Sequence, residues 1–165
     1  MLDEFLNLLK EAPPGDVFNP WWEVDFDNDK YNDSYKVRQQ NLRSYFSERL
    51  GQIQYIMLAE ALGYQGGHFT GIPMTSERLL LGELEEKQLF ANHVFTGKHQ
   101  RTSKEDLNQK GFNEPTATIV WSELVRFNLT HKIILWNSLK LPRMFCGKFL
   151  RIFLIISVGI IRNSQ

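Results

Sequence analysis

Apolar positions at Leu2, Phe5, Leu6 and Leu9 share one face of a helix over residues 2–10, which stops before Pro13, Pro14 and Gly15. Residues 16–34 have two tryptophans, many Asp and Asn and no period, and read as an ordered loop. Helical spacing returns over 35–50 with Leu42, Tyr45, Phe46 and Leu50, and Gly51 is its expected stop. Ile53 to Ala59 is an almost unbroken apolar run, the pattern of a strand buried on both faces of a parallel sheet. It feeds a loop with Gly63, Gly66, Gly67 and Gly71, after which a helix starts at Thr75 or Ser76 and runs to about Glu86. Residues 87–112 are polar and weakly patterned, a long irregular excursion. Asn113 is placed to cap a helix with Glu114 and Pro115 in its first turn. Its buried stripe is Ala117, Val120, Trp121, Leu124 and Phe127. Ile133 to Trp136 is a second buried strand, ending in Asn137. Strand, loop, helix, helix, strand is an α/β order with a parallel sheet. No internal repeat is visible.

The 165 residues amount to about one domain, and 42% apolar with 23% charged side chains is the composition of a globular chain. Cys146 is the single cysteine, which excludes an intramolecular disulfide, a four-cysteine zinc site and an iron–sulfur cluster. Asp3 and Glu4 follow Met1 where a secretory leader needs positive charge, so a reducing, cytoplasmic compartment is expected.

The zero net charge hides an imbalance: residues 1–124 hold 19 acidic and 12 basic side chains, residues 125–165 seven basic and none acidic. A basic end can touch nucleic acid or membrane; it can equally be a tail foreign to the fold. Within it, residues 149–161 (FLRIFLIISVGII) are too few to span a bilayer, which takes about 20 residues, and they include Arg151. A buried strand or helix and an abnormal chain ending both fit this segment.

Several chemistries fail on spacing. Asp25, Asp27 and Asp29 imitate the start of an EF-hand loop, but Lys30 and Lys36 stand where glycine and glutamate are required. A solvated acidic loop is the expectation there. His68, His93, His99 and His131 have no metal-site spacing, and the glycine loop has neither a Walker ending nor GxGxxG. Position is more informative. Ligands of open α/β sheets sit outside the carboxyl ends of the strands. The loop 59–76 leaves one such end, and Asn137 stands at another with an amide that both donates and accepts. A cluster of turn glycines and a plain strand-end asparagine would look the same.

The segment AEALGYQGGHFTGIPMTSE, from Ala59 to Glu77, resembles the GEAPGYxGxxFTGIPFTSE signature of uracil-DNA glycosylase-like members of the uracil-DNA glycosylase superfamily. NPWW at 19–22, RQQNL at 38–42, EPTATIVW at 114–121 and LWN at 135–137 are similar to other parts of that pattern, so the resemblance covers about residues 18–139. It implies a three-layer αβα sandwich around a central parallel sheet, incomplete at the C-terminus. Residues 1–141 would be the N-terminal part of such a domain, and 142–165 a basic, apolar tail outside the pattern.

The resemblance also implies roles. Glu60 would place or activate the attacking water; Ala61, Leu62, Gly63 and Tyr64 would lie along the base; Met74 stands where a stacking phenylalanine is usual; Asn137 would read the uracil edge. The partner implied is uracil-containing DNA, with no cofactor, metal or membrane and a monomeric protein. Departures are specific: Ala59 and Leu62 replace a glycine and a proline, Met74 replaces the aromatic ring, and no histidine follows His131 to supply the second active-site loop. The expected activity class is hydrolysis of the N-glycosidic bond of uracil in DNA, silent in this form. A non-catalytic base-binding remnant or unstable fragment is the alternative, and an unrelated α/β module with a basic tail the third.

Overall fold

A computed structural model describes residues 2–11, 18–59 and 62–137. The proposed boundary at 141 and the tail beyond it lie outside these residues. Helix α1 spans Leu2–Leu8, with Asp3 and Glu4 in its first turn, where acidic side chains favour the helix dipole. Leu6 and Leu9 turn inward. Helix α2 spans Ser34–Ser47 and buries Leu42 and Tyr45. It stops three residues short of the expected end, so Leu50 lies past the stripe and is exposed; Gly51 then turns the chain at φ +96°.

Strand β1 is Tyr55–Ala59 and strand β2 is Ile133–Asn137. They pair in parallel, from Tyr55 against Ile133 to Ala59 against Asn137. Between them come α3, a single turn at Gly67–Thr70, and α4 at Glu77–Leu80. The Ser76 hydroxyl caps α4 by accepting from Leu79 N–H at 3.4 Å. The expected run to Glu86 is corrected: Gly82 adopts φ +78° and breaks the helix, leaving a 3-10 turn at Glu85–Lys87. Another 3-10 turn, Ala91–His93, begins the irregular excursion.

Helix α5 is Pro115–Arg126, and its N-cap is Glu114 rather than Asn113, a shift of one residue. Ala117, Trp121 and Leu124 form the buried stripe, while Phe127 sits just past the last turn and is 59% exposed. The result is a mixed α/β fold whose core gathers residues from α1 to β2, with Trp21 stacked on Trp136 at 5.7 Å between ring centroids. Among the described residues no helix is long and apolar enough to cross a membrane.

The two strands differ sharply in cover. All five residues of β2 are buried. Its outer edge is sealed by α2 and the turn behind it: the Tyr45 hydroxyl accepts Leu135 N–H at 2.8 Å, and Arg49 Nε donates to Ile133 O at 3.0 Å. The expectation that β1 is buried on both faces is corrected, because Tyr55, Met57 and Leu58 are exposed. The physical reason is one missing neighbour: among the described residues only β2 pairs with β1.

Candidate functional site

The segment from Gly67 to Glu77 is held by side chains that arrive from separate parts of the sequence. Trp21 Nε1 donates to Gly71 O at 2.8 Å, and Asn41 Nδ2 donates to Thr70 O at 3.0 Å. From α5, Trp121 Nε1 donates to Met74 O and to Thr75 Oγ1, both at 3.1 Å. Thr70 closes the turn internally, its Oγ1 donating to Thr75 O at 2.9 Å and accepting Ile72 N–H at 3.1 Å. Gly71 has φ +73°, and a Cβ there would meet the Arg38 carbonyl oxygen at 2.6 Å. Only glycine fits that crossing. The NPWW, RQQNL and EPTATIVW segments thus meet on the glycine-rich loop, and most of their polar side chains hold backbone.

Two buried acids serve the same purpose. Glu77 is 1% exposed and accepts from Thr102 N–H at 2.8 Å and Ser103 N–H at 3.0 Å, with both hydroxyls added. Asp29 pairs with Arg38 at 2.6 Å, both side chains fully buried. Arg38 also donates to the carbonyls of Pro20 and Glu23. The expectation of a solvated acidic loop is therefore corrected, since Asp29 is an interior ion-pair partner. Asp25 Oδ2 lies 2.9 Å from His68 Nε2. Burial works to raise the Asp25 carboxyl, but hydrogen bonds from Asn28 and His68 together outweigh it and hold it below the usual aspartate value. Burial dominates at His68 and lowers its pKa, so the ring is neutral near pH 7 and Nε2–H donates to Asp25.

Of the residues expected at a site, Glu60 and Ala61 lie outside the described residues. Leu62 and Gly63 are half-buried, and the Leu62 side chain lies over Gly67. Tyr64 is 65% exposed with its ring 5.0 Å from that of His68. Met74 takes a left-handed backbone at φ 51° and is only 6% exposed. Asn137 is 1% exposed and stands in register with Ala59, the residue from which the loop departs. The structure thus brings the start of the glycine loop and Asn137 to the same end of the sheet. It leaves Met74 and Asn137 closed to solvent.

Sequence reasoning gives Glu114 only a helix-start role. Its carboxylate lies against Gly63 and Gly66, in space that a Cβ on either glycine would occupy. Among the described residues its buried Oε2 has no hydrogen-bond partner, and burial raises the carboxyl pKa above the usual glutamate value. The cue in the sequence is the pair of glycines three apart, which signals a close approach without naming what approaches. A cleft of about 450 Å³ elsewhere, lined by Leu2, Gln40, Arg43 and Thr96 among others, contains none of the expected residues. Among the described residues no three potential metal ligands cluster.

The class defined by these observations is a mixed α/β protein with a parallel strand pair and a clamped glycine-rich loop at its carboxyl end. No family model, curated protein or solved structure matches this chain.

Proposed function

We propose that this chain is of uracil-DNA glycosylase type, with a three-layer αβα sandwich, and that it holds a flipped uracil without releasing it measurably. The registration of Ala59 against Asn137 carries this reading. It sets the loop that resembles the base-contacting signature beside the asparagine that resembles the edge-reading one, at the carboxyl ends of parallel strands.

The chemistry fits those groups. Flipping a nucleotide out of the stack costs a few kcal/mol, and base-edge hydrogen bonds offset it. An asparagine amide matches the imide edge of uracil, which offers both a donor and an acceptor. Asn137 and Met74 are closed, so a base reaches them only when the packing around them opens. Excision asks for more. Bond cleavage leaves an anionic uracil, and each preset donor to such an anion is worth about 3–4 kcal/mol. Within the signature itself, Ala59, Leu62 and Met74 stand where the pattern has a glycine, a proline and a stacking ring, so the loop that would meet that anion is altered. Losses of that size cost several decades of rate.

The test uses labelled oligonucleotides with one uracil or one cytosine, whose edge lacks the N3–H donor. The expected result is tighter retention of the uracil strand, lost in Asn137→Ala that keeps its near-ultraviolet circular dichroism, with no abasic product. Equal affinity for the two strands overturns the base-binding reading. Robust abasic product that disappears in Glu60→Gln overturns the claim of silence.

A further inference from the structure

Among the described residues three non-glycine residues have positive φ: Met74, Gln88 and Asn128. Gln88 and Asn128 are exposed and follow the ends of helical turns, where a left-handed residue is ordinary. Met74 is different. It is buried, it ends no helix, and it follows Pro73 in a turn where glycine or asparagine is usual. A left-handed backbone away from glycine persists only where its surroundings hold it, and such positions gather at functional sites.

The hold consists of three consecutive carbonyls that each accept from a buried side chain. Pro73 O accepts from Thr75 Oγ1 at 3.0 Å, Met74 O from Trp121 Nε1 at 3.1 Å, and Thr75 O from Thr70 Oγ1 at 2.9 Å. Trp121 Nε1 also donates to Thr75 Oγ1 at 3.1 Å, so one indole N–H supports two of the three bonds. Peptide units are rigid planes, so fixing the planes on both sides of Met74 fixes its φ and ψ. We propose, resting on the base-binding reading above, that Trp121 is a positioning residue of the base site. Its indole N–H keeps Met74 left-handed, and so keeps the Met74 side chain turned inward to meet the base.

The test combines two substitutions in a cycle of four proteins. Trp121→Phe keeps an aromatic ring and removes the N–H. Met74→Gly takes positive φ freely and has no side chain to aim. Binding of the uracil and cytosine strands is measured for each protein. In Trp121→Phe the expected uracil-strand affinity is lower by at least about tenfold, as follows when the left-handed state becomes a minor one. In the Met74→Gly background the same substitution lowers it by less than about twofold, because Trp121 acts through the missing side chain. The intraresidue HN–Hα Overhauser effect of Met74, strong when φ is positive, weakens in Trp121→Phe. An equal loss of affinity in both backgrounds overturns the proposal, since a tryptophan with only a packing role would weaken both alike. So does a Met74 Overhauser effect that Trp121→Phe leaves unchanged. If Trp121→Phe does not fold, Thr75→Val removes the donor to Pro73 O and is read in the same way. Equal binding of the two strands by the unsubstituted chain overturns the base-binding reading instead, while the Overhauser effect needs no ligand and decides the hold on Met74 by itself.

Discussion

Strands β1 and β2 are both five-residue apolar runs, yet one is half exposed and the other buried throughout. The difference does not lie in their side chains. It lies in what α2 and the turn after it bring to the outer edge of β2: a tyrosine hydroxyl and a guanidinium that satisfy backbone which a further strand would otherwise pair. Arg49 is wholly buried and donates to the carbonyls of Tyr45, Val94, Thr130 and Ile133, its guanidinium 3.8 Å from the Tyr45 ring centroid. Burial lowers its pKa from the usual guanidinium value. One long side chain can therefore close a sheet edge, provided its donors all find acceptors.

Breaking that seal is expected to have the largest effect. Arg49→Met strands several buried carbonyls together and should destabilise the protein by about 3–5 kcal/mol, read by urea denaturation. Leu135→Ala hollows the same strand at a fully buried position and should cost about 3 kcal/mol. Tyr45→Phe is subtler. It removes the acceptor of Leu135 N–H and leaves the ring in place, for about 1–2 kcal/mol. If the three variants matched the effect of Ile119→Ala, at a 66% exposed position on α5, the contrast between strands would collapse.

The smallest expected effect sharpens the account at the loop. Glu114 is raised in the folded state, so folding favours its protonated form and stability falls as pH climbs past the ordinary glutamate value. Glu114→Gln should therefore stabilise the protein at pH 7 by no more than about 1 kcal/mol, given partial solvent screening. The gain should vanish below about pH 4, where both folded and unfolded wild type are protonated. Thermal melts of both proteins across that range provide the check.

Local pattern makes much of the fold legible. The apolar runs before Ala59 and before Asn137 read as strands, and the parallel pairing fits the helices between them. The helix starts are legible to within a residue, from the spacing of apolar positions for the one that begins at Ser34 and from Pro115 for the later one. Cover and long-range pairing are not legible. An apolar run reports what a strand prefers, and says nothing of whether a neighbour arrives, so β1 reads like β2. Asp29 reads as solvated because Arg38 is nine positions away, past the start of α2. Glu77 and Ser103 are 26 positions apart, and Glu114 meets glycines some 50 positions upstream. No spacing rule links such pairs. At the proposed site the position of Asn137 at a strand end is visible in the sequence, while its closure is not, because closure depends on every surrounding element.

The base-binding claim is tested most directly by NMR titration of the isotopically labelled full chain with free uracil, and with cytosine as control. The account predicts that the Asn137 side-chain amide and the Gly63 and Gly66 backbone amides shift together on uracil addition, saturably, and stay still with cytosine. Shifts confined to the cleft near Arg43, or none at all at uracil concentrations that saturate a millimolar site, would contradict it.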